Sequence, residues 1–182
     1  MLIALLLHVA LAVPTTRAVS PGIIRGAVAE AAAVWAPYGV AVEAAGGPAG
    51  RGTVLTVVPI ETRHAAGMPA WRGALGAITF ASDGAPVPAI MLYVTDIEEF
   101  VIGARLFRGF GRFWPCALRE ELLGRVLGRV LAHEIGHYVL RSPRHAADGL
   151  MRPLQLADDL VEPTRHRFAL TAADAARLDG QR

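Results

Sequence analysis

The sequence contains no lysine and no asparagine, and a single cysteine, Cys116. All 18 basic residues are therefore arginine, in a chain rich in alanine, glycine and proline. That pattern matches a coding bias toward GC-rich codons, so a net charge of +2 carries no message about partners. A nucleic-acid binder gathers its arginines on one face beside aromatics; here they are scattered, which argues against nucleic acid. One thiol excludes an intramolecular disulfide framework, and export to an oxidising compartment stays compatible but is not required. Internal repeats, low-complexity tracts and long charge runs are absent too. No apolar run is long enough to span a bilayer, so no stable membrane anchor is expected.

What is present fits one ordinary domain. The 182 residues are 53% apolar and 19% charged, enough for a core and too apolar for a disordered tail. LIALLLHVALAV, Leu2 to Val13, is an apolar run of signal-peptide length, followed by Pro14-Thr15-Thr16-Arg17-Ala18. Cleavage after Ala18 leaves small residues at the two critical sites. The expectation is an export signal over 1–18, a single domain over 19–182, and a secreted or periplasmic location. Two features favour a buried first helix or strand instead: no Lys or Arg precedes the run, and His8 interrupts it.

Ser20-Pro21 reads as an N-cap followed by proline in the first turn. Ile24, Ala27, Val28, Ala31, Val34 and Trp35 recur at helical spacing, predicting an amphipathic helix over 21–36 that ends at Pro37. Four β-like runs follow, Gly39–Glu43, Thr53–Ile60, Ala74–Ala81 and Ala89–Val94, separated by Gly/Pro-rich turns. Thr95–Phe107 reads as helix, and RGFGRFWPC as an irregular aromatic connection. Leu118, Leu122, Leu123, Val126, Leu127, Val130 and Leu131 mark one stripe of a long helix over about 117–141. Ser142 precedes Pro143 and is pushed out of helical geometry, which stops it. A last helix begins at Thr171, with Asp174 completing a capping-box-like pair. The class is α+β.

The long helix ends in His133-Glu134-Ile135-Gly136-His137, the pattern H-E-x-x-H. Residues four apart lie on one helix face, so both imidazoles can reach one ion. Glu134 sits one residue round, placed to take a proton without ligating. Zinc suits two neutral imidazoles, a third N or O ligand and an open position. A chance match is the competing reading, and the placement near the end of a strongly periodic helix weighs against it. For the third ligand the downstream chain offers His145, Asp148, Asp158, Glu162 and His166, and the upstream chain His64.

With His145 and Gly149-Leu150-Met151 added to the motif, the chain resembles the metzincin metallopeptidases, nearest their matrixin-like branch. The resemblance implies a zincin-like fold, with a small mixed sheet of four or five strands on a backing helix and a long active-site helix. It implies Zn²⁺ held by His133, His137 and His145, Glu134 as general base, and Met151 as a floor beneath the metal. It implies LGAITFA as an edge strand for an extended peptide, and a pocket wall from Arg152 to about Phe168. The family's strand before the first helix would fall among residues 9–19. Two departures stand out: Leu140 replaces the turning glycine, and the third histidine comes two residues late. The eight residue steps from His137 to His145 reach up to about 26 Å, ample for a wider loop bent at Ser142-Pro143. Glu162 would suit a gluzincin-like site, but its usual accompanying pattern is missing from DDLVEPTRH. Cys116 immediately precedes the active helix, unlike a propeptide thiol latch, and is expected buried.

The function expected is a zinc-dependent metallopeptidase acting on a peptide or protein substrate. The alternatives are a zinc hydrolase of a non-peptide substrate and a non-catalytic zinc-binding or structural protein. Substrate preference and oligomeric state are not written in the sequence.

Overall fold

The computed structural model describes residues 7–14, 19–46, 53–60, 74–106, 109–110, 113–153 and 156–181. The chain is α+β, with a five-stranded mixed sheet and its helices packed on one face. The strands are β1 (Leu7–Ala12), β2 (Val40–Ala44), β3 (Thr53–Ile60), β4 (Gly76–Phe80) and β5 (Pro86–Tyr93). Their order is β2-β1-β3-β5-β4; the first four are parallel and β4 runs antiparallel at the edge. The helices are α1 (Pro21–Trp35), α2 (Val94–Gly103), α3 (Cys116–Val139), α4 (Ala157–Val161) and α5 (Ala172–Asp179). Among the described residues no helix is long and apolar enough to cross a membrane.

Leu7–Ala12, within the apolar run near the start, forms β1. Val9 and Leu11 alternate into the core at 1% exposure each. Their strand lies between β2 and β3, paired from Leu7↔Val40 to Leu11↔Ala44 and from Val9↔Thr53 to Ala12↔Thr56. A molecule cleaved after Ala18 would lack this strand. A strand does precede the first helix, at Leu7–Ala12, starting two residues ahead of the 9–19 window.

Most other elements fall where periodicity put them. Thr53–Ile60 is a strand with Leu55 and Val57 fully buried. The Ser20 hydroxyl accepts from the Ile23 amide at 3.3 Å and caps α1. Thr171 caps α5 in the same way, accepting from the Asp174 amide at 3.2 Å. β5 differs, starting at Pro86 instead of Ala89. Its pairing with β3 begins only at Ala89, so Pro86 and Pro88 sit where one side of the strand has no ladder to serve. α2 stops at Gly103, four residues before the expected end.

α1 and α3 cross in close contact because glycines face each other there. A Cβ on Gly128 would lie 2.5 Å from Glu30 Cβ and 2.6 Å from the Ala27 carbonyl oxygen. Gly128→Ala is therefore expected to destabilise the fold by about 1–3 kcal/mol through overpacking. Gly103→Ala, with nothing within 4 Å, should stay within about 0.5 kcal/mol of wild type, both variants being read by urea unfolding.

Candidate metal centre

α3 is the floor of the site. Its second half is buried almost throughout, and its last turns carry His133, half-buried, and His137, buried. Each ring is fixed by a backbone carbonyl. His133 Nδ1 lies 2.7 Å from the Leu150 oxygen, and His137 Nδ1 lies 2.7 Å from the Ser142 oxygen. A carbonyl only accepts, so both Nδ1 atoms carry the proton and both Nε2 atoms are left bare. These two Nε2 atoms stand 3.1 Å apart. Two bare lone pairs do not hydrogen-bond, but tetrahedral zinc at its usual Zn–N length wants ligands about 3.3 Å apart. The donor set therefore fits a cation between them.

His145 completes the group. It comes from the exposed loop after α3, and one ligand nitrogen from each of the three histidines falls within 4.8 Å of the others. Its ring stacks on His133, with centroids 5.3 Å apart, and meets His137 edge-on at 4.8 Å. The three histidines could hold a metal ion. Burial pushes all three below the ordinary imidazole value, His133 down to about 3, with the neighbouring His137 adding to the effect. Neutral rings are the form a metal needs.

The turn that delivers His145 is a Schellman motif. The Arg141 amide donates to Tyr138 at 3.2 Å and the Ser142 amide to His137 at 3.1 Å. Arg141 takes the left-handed conformation, φ 47°, that closes such a helix end and that glycine adopts most cheaply. The chain thus turns sharply at Arg141, one residue after Leu140, where the resemblance expected a glycine. Arg141→Gly should relieve this strain and raise stability by about 0.5–1 kcal/mol, read as a higher urea midpoint at unchanged slope.

Gly149 and Met151 lock the far side of the loop. Gly149 has φ 75°, and a side chain there would run into the Ala169 carbonyl oxygen. The Leu150 amide donates to that same oxygen at 2.8 Å, and the Ala146 amide donates to Met151 at 2.9 Å. Met151 is 1% exposed, and its sulfur lies where a Cβ on Gly136 would fall. The methionine thus sits under the helical turn between the two histidines. Trp35 packs beside it, its indole N–H donating to the Ala132 carbonyl at 3.0 Å. Trp35 was legible only as the last member of an apolar stripe.

Glu134 is buried against the edge strand. A Cβ on Gly76 would lie 3.2 Å from both its Cγ and its Oε1. Loss of water pushes the carboxyl up to about 8, opposed by a hydrogen bond from the Ile78 backbone. Nothing in the sequence marked Gly76 as the residue that lets β4 approach Glu134.

The rival ligands lie apart from this cluster. Glu162 ends α4 and is not among the residues gathered here; Asp148 and Asp158 are exposed. His166 Nδ1 lies 2.8 Å from the Thr164 hydroxyl, outside the group. His64 falls outside the described residues. Cys116 is a correction: expected buried, it is exposed as the first residue of α3, where the helix has not yet entered the core. No protein-family model, curated protein or solved structure matches this chain.

Proposed function

We propose that the protein is a zinc-dependent metallopeptidase of zincin-like, metzincin-type architecture. One observation carries the reading: three carbonyl-oriented or loop-delivered imidazoles converge beside a buried glutamate one residue from the first of them. His133, His137 and His145 would hold the ion. When bound, zinc supplies a Lewis acid that polarises a carbonyl and brings a water's pKa toward about 7.

The chain's own residues do the rest. Glu134 accepts the proton of the attacking water on its carboxylate and passes it to the leaving amine. That role needs the ionised carboxylate, which burial disfavours and a nearby cation restores. Met151 and Trp35 keep the floor of the turn dry and fixed. β4, an edge strand of the sheet among the described residues, would take an extended peptide as a further strand. The segment from Arg152 to Phe168 would wall the site on the other side.

The test is metal analysis of the purified protein combined with cleavage of an unstructured protein such as casein. One zinc per chain with chelator-sensitive cleavage supports the reading. Zinc without any cleavage points to a structural site or a non-peptide substrate, and no zinc at all overturns it.

A further inference from the structure

One buried charge has no part in the chemistry just described. Arg129 lies one turn before His133 on α3 and is 1% exposed. Its Nε donates to Glu30 Oε1 at 2.9 Å, and Glu30 Oε2 also receives Arg165 at 2.6 Å. Its two terminal nitrogens donate to three backbone carbonyls: Asp159 at 2.7 Å, Leu160 at 3.2 Å and Thr164 at 2.8 Å. The Phe168 ring closes over the guanidinium, 4.4 Å from the carbon to the ring centroid. A well-packed apolar side chain in such a place is often as stabilising as a buried ion pair. What an apolar residue cannot do is grip carbonyls on two turns of another segment.

That segment leads back to the metal. Phe168 is followed by Ala169, whose carbonyl accepts the Leu150 amide and abuts Gly149. The Leu150 carbonyl, on the same residue, accepts His133 Nδ1. A second strand of contacts runs from Asp159, whose carboxylate pairs with Arg152, the residue after Met151, at 2.9 Å. Arg129 thus holds the stretch that holds Leu150, and Leu150 aims the first ligand.

We infer that Arg129, with Glu30, is a positioning residue of the metal centre: it fixes the Leu150 carbonyl and through it the orientation of His133. This rests on the metal reading proposed above. Residues that orient a histidine ligand are typically worth 10–100-fold in metal affinity, about the size expected here.

The test uses the full chain with Arg129 and Glu30 replaced together (R129M with E30Q), so that no lone charge is left buried. Far-UV circular dichroism and urea unfolding establish that the double variant is folded, and R129M alone serves as a second variant. Zinc affinity is then measured by chelator competition, and the visible spectrum is recorded with cobalt(II) in place of zinc. The expected result is a folded variant with zinc affinity lowered about 10–100-fold and altered cobalt bands, since ligand geometry has changed. A folded variant with wild-type zinc affinity and an unchanged cobalt spectrum overturns the inference while leaving the metal site standing. A wild type that takes up neither metal overturns the metal reading itself, and this inference with it.

Discussion

Replacing Glu134 by glutamine is expected to cut peptide hydrolysis by about 10²–10⁴-fold while zinc stays bound. The side chain contributes no ligand atom to the histidine cluster, so metal affinity should barely move. The amide keeps the shape but cannot accept the proton of the attacking water. Loss of zinc together with activity would contradict the role, as would retained activity. The same variant has a signature without substrate. Burial raises the carboxyl from 4.5 to about 8, so in the metal-free protein the folded state holds this proton more tightly than the unfolded state. The stability that comes with the neutral carboxyl is full below about 4.5 and is lost as pH rises toward 8. Glutamine stays neutral, so E134Q should gain on wild type over that interval, by on the order of several kcal/mol. Urea unfolding of the metal-free proteins near pH 5 and near pH 9 reads the difference, and a pH-independent gap would contradict the burial argument. His133 works in the opposite direction. Its value falls from 6.5 to about 3, so its share of stability is present above 6.5 and declines as pH falls toward 3.

The second large effect concerns residues 1–18. A chain beginning at Val19 is expected not to fold cooperatively. It loses β1 from between β2 and β3, leaving two ladders unpaired and a gap in the parallel sheet. Burying Val9 and Leu11 alone is worth about 3–6 kcal/mol, comparable to the whole stability of many domains. The measurement is thermal and urea unfolding of the full chain beside the Val19–Arg182 form. A truncated chain with the same sharp transition and the same zinc uptake would contradict the place given to β1. The result also bears on export. If the secreted or periplasmic location holds, the mature protein should keep Leu7–Ala12, which N-terminal sequencing reads directly.

Much of this was legible in the residues, and the rest was hidden for physical reasons. The long helix, the caps at Ser20 and Thr171 and the strand at Thr53–Ile60 follow from periodicity and hydrogen-bonding side chains, both local properties. His133, Glu134 and His137 share one helix, so their geometry follows from its pitch. His145 depended on a loop, and its placement rests on Arg141 taking a left-handed φ and on Gly149 abutting Ala169, contacts between segments far apart in sequence. Leu2–Val13 could be read two ways, because an export signal and a buried parallel strand are both continuous apolar runs. The carbonyls of Leu150 and Ser142 that orient His133 and His137 are backbone atoms and leave no mark in composition. Arg129 looked like any other arginine of the helix; only the folded chain turns it inward against Glu30.

The most direct measurement is a crystal structure of the full chain grown with zinc, with anomalous data on both sides of the zinc edge. It should show one zinc bound by Nε2 of His133 and His137 and by a ring nitrogen of His145, with Met151 beneath. Zinc at that place with His145 turned away and another side chain as the third ligand would contradict the account, and so would no anomalous peak between the histidines.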